Sequence, residues 1–270
     1  MTNKNKYDRP IQVAEGIYWV GFRDEESNMT CNPYLIVQGD RAVLIDGGSR
    51  TDFSVVMMKI LQTGINPQNI VGLIYQHYDP DLCGSMPNFI DMIDNPALRI
   101  ISEKKNNTFI SFYISRENFP LLESIQNHGY SLNLNGRILK FYATPYCHSP
   151  GSFVTYDKKT QTLFSSDLFG SYASQWDLFL ELNETCYSCN DREACPNKVL
   201  DCPITDILTF HKDIFPCNRS LRFAMKVIKD IPIDRIAPQH GSILQSKKDI
   251  SLVIQELELL ENVGIDGITG

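Results

Sequence analysis

The sequence contains no apolar run long enough to cross a bilayer, which excludes a membrane-spanning helix. Its opening, MTNKNKYDRP, has no apolar stretch of the signal-peptide kind, so a leaderless cytoplasmic protein is expected. Positive charge is in deficit. The 25 Lys and Arg stand against 32 Asp and Glu, a net charge of −7, which argues against nucleic acid as the main partner. Charge is not gathered into blocks and 43% of the residues are hydrophobic, so disorder is excluded as well. Histidine is scarce, with five in the chain. In so small a pool, any ordered spacing is informative.

The chain of 270 residues is long enough to bury a core without disulfides or a structural metal. It reads as one domain over residues 1–270. Eight cysteines in a compartment that keeps thiols reduced are read first as metal ligands or reactive groups.

Short β-rich segments alternate with helical ones. GIYWVGF (16–22), PYLIVQ (33–38) and AVLID (42–46) read as strands, the last two joined at Gly39-Asp40. Thr51 or Asp52 caps a helix to about Gln62, and VGLIY (71–75) is a further strand. Gly84 or Ser85 opens a helix to Ile93, followed by the strand LRIIS (98–102). Residues 104–127 read as mainly helical, interrupted at Pro120. ILKFYAT (138–144), SFVTYD (152–157) and TLFSS (162–166) are strands. Asp206 to Lys229 is helical with a break at Pro216, RIAP (235–238) is a strand, and Lys247 to Val263 is an amphipathic helix. Two β-rich stretches, each followed by helices, predict an α/β sandwich with the sheets inside.

Polar groups collect where these strands end. His77, Asp79 and Asp81 stand at alternate positions, which in an extended or tightly turned backbone project to one side. His148 follows ILKFYAT, Asp167 ends TLFSS, and His240 follows RIAP. Imidazole and carboxylate without thiolate suit iron, manganese or zinc, and a mixed set with open positions suits iron and dioxygen. Singly, each could be a hydrogen-bonded histidine or an Asx turn. Jointly, they form six candidate ligands in order. His128 and His211 remain as surface or structural residues.

The ordered motifs H-x-D-x-D (77–81), H-S-P-G-S (148–152), S-D-L-F-G (166–170) and P-Q-H-G (238–241) resemble those of the metallo-β-lactamase fold. More narrowly, they resemble the flavodiiron branch and its truncated relatives, the oxygen-binding di-iron proteins. The opening PYLIVQGDRAVLIDGGS (33–49) is similar too, so the resemblance covers roughly residues 10 to 262. It implies a four-layer αββα sandwich. It also implies two iron ions with an oxo, hydroxo or peroxo bridge. His77, Asp79 and His148 would hold the first, Asp81 and His240 the second, and Asp167 would join them. Hydrolases of the fold carry histidine where this chain has Asp79 and Leu82, so a di-zinc hydrolase is the alternative the residues disfavour. The flavodiiron pattern has Glu at the place of Asp79, and many members place a histidine at that of Leu82.

The resemblance further implies dioxygen, nitric oxide or peroxide as ligand, and a homodimer. Flavodiiron enzymes carry a flavodoxin-like FMN domain of on the order of 150 residues. Only 30 residues follow His240, so no FMN domain is expected in this chain. Sensor, or terminal component served by an external reductase: the residues leave both open. Tyr78, Tyr146 and Tyr172 lie near the motifs and are candidates to hydrogen-bond a bound ligand. A second cluster, Cys186, Cys189, Cys195 and Cys202, lies in an insertion at about 183–203. It fits a zinc or iron–sulfur site, or unligated thiols, since neither spacing is standard. Cys83 and Cys147 adjoin the ligands as buried small residues or redox-sensitive thiols. Cys31 and Cys217 carry no signal.

Overall fold

The computed structural model describes residues 7–24, 29–172, 176–189 and 202–269. Strands β1 (Ile11–Ala14) and β2 (Ile17–Trp19) begin the first sheet, and a separate hairpin of β3 (Phe22–Asp24) and β4 (Met29–Cys31) follows. The hairpin β5 (Tyr34–Gln38) and β6 (Arg41–Ile45) turns at Gly39, whose φ of 62° favours glycine. Helix α1 (Phe53–Gln62) crosses to β7 (Ile70–Ile74), parallel to β6. Then come α2 (Pro80–Cys83), α3 (Met86–Ile93), β8 (Arg99–Ser102), α4 (Lys104–Ile110) and β9 (Leu122–Ser124). The sheet order is β1-β2-β5-β6-β7-β8-β9.

The second sheet starts as an antiparallel meander of β10 (Ser131–Leu134), β11 (Arg137–Ala143), β12 (Phe153–Asp157) and β13 (Thr162–Ser166). After β14 (Phe179–Leu180) come α5 (Pro203–Ile214) and α6 (Asn218–Lys229). The chain then returns as β15 (Arg235–Pro238), parallel to β13, and β16 (Ile243–Leu244), and ends with α7 (Lys247–Leu259) and α8 (Ile265–Thr269). The order is β10-β11-β12-β13-β15-β16-β14.

Three apolar cores define the layers. One lies between the sheets and joins Tyr34, Val43 and Ile74 to Phe141, Phe153 and Phe164. A second packs α1 and α3 on the first sheet through Val56, Ile60 and Phe89. A third packs α5, α6 and α7 on the second sheet through Phe210, Met225 and Val253. This is the expected αββα sandwich. The β12 and β13 strands are buried on both faces, which is why their sequences run apolar or small without clean alternation. Within the second sheet, Arg137 pairs in bidentate fashion with Asp157 at 2.9 and 2.7 Å, and it reaches across to the first sheet to donate to the carbonyls of Glu15 and Val37.

Two helical expectations are corrected. Residues 104–127 hold only α4, then a 3-10 turn (Arg116–Leu121) containing Pro120, then β9. Proline cannot donate to a helical ladder, and the residues after it pair with β8 instead. The last long helix stops at Leu259, not Val263, and α8 follows as a separate turn.

Candidate metal centre

Strand directions bring the candidate ligands together. Both β11 and β13 run antiparallel to β12, and β15 runs parallel to β13. All three therefore exit at one edge, where His148, Asp167 and His240 follow them. The exit of β7 in the facing sheet supplies His77, Asp79 and Asp81. Pro80 at the first position of α2 holds Asp79 extended, at φ −71° and ψ 154°. Asp81 lies in the first helical turn rather than in an extended loop, so convergence of the three comes from strand exit plus helix start.

Asp167 stands at the middle of the set. Its Oδ2 lies 3.0 Å from His148 Nε2 and 3.8 Å from His77 Nε2, while its Oδ1 lies 3.9 Å from His240 Nε2. Asp79 Oδ2 meets His148 Nε2 at 3.2 Å and His77 Nε2 at 3.8 Å, and Asp81 Oδ2 meets His240 Nε2 at 3.1 Å. The six residues thus fall into two halves sharing one carboxylate. Among the described residues, His77, His148 and Asp167 have ligand atoms mutually within 4.8 Å. The His77, Asp167 and His240 side chains are 1%, 4% and 7% exposed, whereas Asp79 and Asp81 are 32% and 41% exposed. The centre therefore opens to solvent past the last two.

The three histidine-bearing turns are held from behind. His77 Nδ1 lies 2.8 Å from Ser166 Oγ, and the Nδ1–H of His240 donates to the Thr30 carbonyl at 2.7 Å. Both rings so turn Nε2 inward. Buried Asp46 accepts from Gln76 N at 3.2 Å, one residue before His77, and burial pushes its carboxyl pKa up. Asn106 donates to Gly151 O at 2.9 Å and Gln76 O at 3.4 Å, tying the His148 loop to the β7 exit. A Cβ on Gly151 would lie 2.2 Å from Asn106 Oδ1, so the glycine of H-S-P-G permits this approach. Asn32 donates to Pro238 O and Gly241 O, fixing the His240 turn from more than 200 positions away. None of these supports was identified from the sequence.

Burial works against charge on His148, but hydrogen bonds to Asp167 and Asp79 outweigh it and push its pKa up to about 10. Burial likewise opposes His240, and Asp81 with Asp167 pushes it up to about 9. Burial opposes the charge on Asp167, yet the surrounding imidazoles hold it far below the ordinary carboxylate range. Two buried atoms, His77 Nε2 and Asp167 Oδ1, have no hydrogen-bond partner. Leaving such groups unpaired costs about 1–3 kcal/mol each. One lies in each half of the site, and cations would satisfy both. The residues present fit a pair of metal ions.

The other candidates separate. The Tyr172 hydroxyl donates to Asp213 at 3.2 Å, and Tyr146 is half-exposed. Tyr78 stacks on Phe109, and of the three it is the one whose hydroxyl pKa is raised first by burial and then by a ligand carboxylate, Asp79. Leu82 is fully buried in the core beneath α1 and α3. Cys83 and Cys147 are buried thiols with raised pKa values, burial being the main cause in both, as inert small residues have. Cys186 lies within a 3-10 turn (Glu184–Ser188), Cys189 caps its end and Cys202 caps α5, but these three do not form a group of converging ligand atoms among the described residues. Cys195 lies outside the described residues. His128 pairs with Glu123, and His211 is buried in α5.

The fold has counterparts among known proteins. The model of a family described as ODP family beta lactamase matches residues 29–241. Diflavin flavoprotein A 1 of Synechocystis is 28% identical over 228 residues, covering 82% of this chain and 35% of that protein. The chain spans between about a third and a little over half of the curated relatives it matches, 34% to 56%. Among solved structures, the peroxy diiron species of the chemotaxis sensor ODP superposes with a TM-score of 0.75 at 23% identity, covering 96% of this chain and 98% of that one. The flavodiiron protein from Giardia intestinalis gives 0.75 at 19% identity, covering 93% of this chain and 58% of that one. Among the described residues, no helix is long and apolar enough to cross a membrane.

Proposed function

The chain belongs to the ODP family beta lactamase, and from that premise we propose that it is a non-haem di-iron protein that binds dioxygen and serves as an oxygen sensor. The observation that carries the reading is the shared carboxylate: Asp167 turns one oxygen toward His148 and the other toward His240. Support comes also from the near-complete coverage of the chemotaxis sensor, whose peroxy diiron species is the structure matched.

His77, Asp79 and His148 would hold one iron, Asp81 and His240 the other, with Asp167 between them. Two ferrous ions bound there would supply one electron each and positions open to a diatomic ligand. The chain's residues shape that access. His77, Asp167 and His240 form a buried floor, while the exposed Asp79 and Asp81 form the rim past which a ligand enters. Ser166 and Thr30 orient two of the imidazoles, so that Nε2 faces inward. Leu82 offers no ligand, leaving the Asp81–His240 half with fewer protein donors than the half that contains His77. We further read the protein as a cytoplasmic homodimer that reports to a signalling partner.

The test is to load the protein with ferrous iron without oxygen, then add dioxygen with excess reductant present. The expected result is a long-lived visible band with negligible oxygen consumption. Sustained consumption would overturn the sensor reading in favour of a terminal component fed by an external reductase.

A further inference from the structure

The ring of His211 in α5 is fully buried. Its Nδ1 lies 2.7 Å from the Ile207 carbonyl, and its Nε2 lies 3.0 Å from the backbone nitrogen of Phe169. A carbonyl only accepts and an amide N–H only donates, which fixes the ring: the proton is on Nδ1 and the lone pair on Nε2. A second ring proton would face the Phe169 N–H head to head. The ring also stacks on Phe215, with centroids 4.7 Å apart.

Phe169 is two residues beyond Asp167 and has φ 65°, in the left-handed region that a bulky side chain seldom adopts. Ser166, on the other side of Asp167, is also left-handed at 55°. The turn closes through Gly170 N to Asp167 O at 3.0 Å and Ser165 Oγ to Leu168 O at 2.6 Å. Neither bond reaches the Phe169 N–H. Its acceptor is His211, brought by a different element. The neighbouring Phe210 ring packs against His240 at 5.8 Å, and a Cβ on Gly170 would come within 2.7 Å of it. One pair of adjacent α5 residues therefore holds two ligand-bearing turns.

We propose that His211 is a positioning residue for the shared carboxylate: by accepting the Phe169 N–H, it locks the 166–170 turn so that Asp167 presents its two oxygens to opposite halves of the site. Its consequence for metal binding rests on the metal-centre reading above, whereas the hydrogen bond itself stands independently of it.

The first test uses the full-length, metal-free protein, isotope-labelled for NMR. The expected result is a through-hydrogen-bond coupling between the Phe169 amide nitrogen and His211 Nε2, with ring shifts of the neutral Nδ1–H tautomer at neutral pH. Absence of the coupling, or a charged ring, would overturn the proposal. The second test compares variants with cobalt(II) as the probe metal. His211→Phe keeps the bulk and the stack but removes the acceptor, and His211→Gln keeps an acceptor. His211→Phe should speed amide exchange at Phe169, weaken cobalt binding by about 10- to 100-fold and change the cobalt visible bands. His211→Gln should recover most of each. If His211→Phe lowers thermal stability but leaves cobalt affinity and bands unchanged, the residue is merely structural and the proposal fails. If His211→Phe does not fold, the coupling and the His211→Gln titration decide it. Failure of the di-iron reading would leave the coupling intact, so the two failures are distinguishable.

Discussion

Asp167 meets His148 Nε2 at 3.0 Å with one carboxylate oxygen and leaves its other oxygen buried without a hydrogen-bond partner. A carboxylate needed only for an ion pair would have both oxygens satisfied. The orphaned oxygen faces the His240 half of the site. Asp167→Asn replaces one oxygen by a donor and removes the charge, so both halves should suffer. Iron content after anaerobic loading should fall below about one per chain. Retention of two would contradict the sharing.

Asp79 belongs to one half only. Asp79→Ala should lower iron to about one per chain, leaving the Asp81–His240 half loaded. Unchanged iron content would remove Asp79 from the ligands. Asp79→Glu, one methylene longer, should retain both.

Leu82 stands where relatives are expected to carry a histidine, yet its side chain is in the core. Leu82→His would bury an imidazole among apolar groups. It should destabilise the protein by about 2–4 kcal/mol in denaturant unfolding and add no metal. A rise in iron affinity with stability unchanged would show that the position can reach the site.

The fully buried Arg137–Asp157 pair should contribute to acid stability. Burial opposes the Asp157 charge, but the Arg137 guanidinium outweighs it and holds the carboxyl below its ordinary range. A carboxylate lowered on folding adds stability above its unfolded pKa of about 4, and that stability is lost as pH falls through the depressed folded value. Arg137→Met would strand a buried charge, at a cost of about 3–5 kcal/mol near neutral pH. It should also move the acid-unfolding midpoint to higher pH, as followed by circular dichroism. An unchanged midpoint would assign acid unfolding to other groups.

The six candidate ligands were legible in the sequence as short local motifs near strand exits, and the fold brings them together. The supports were not. Thr30 and Asn32 reach the His240 turn across more than 200 positions, and nothing at either place marks the partner. The role of His211 is not legible because a lone helical histidine carries no spacing signal, and its partner is a backbone N–H that no side chain marks. Residues 104–127 read as mainly helical from local pattern alone. The β-sheet edge at β8 captured residues 122–124 instead, a tertiary preference that local periodicity does not contain. The two-residue strands β14 and β16 are too short for any periodic signal.

The most direct measurement of the central claim is metal analysis of protein purified without oxygen, followed by addition of dioxygen in a spectrophotometer. A di-iron oxygen-binding centre predicts about two irons per chain and a new visible absorption band on oxygen addition. Two zincs per chain with no such band, and hydrolysis of an ester or phosphodiester, would contradict it.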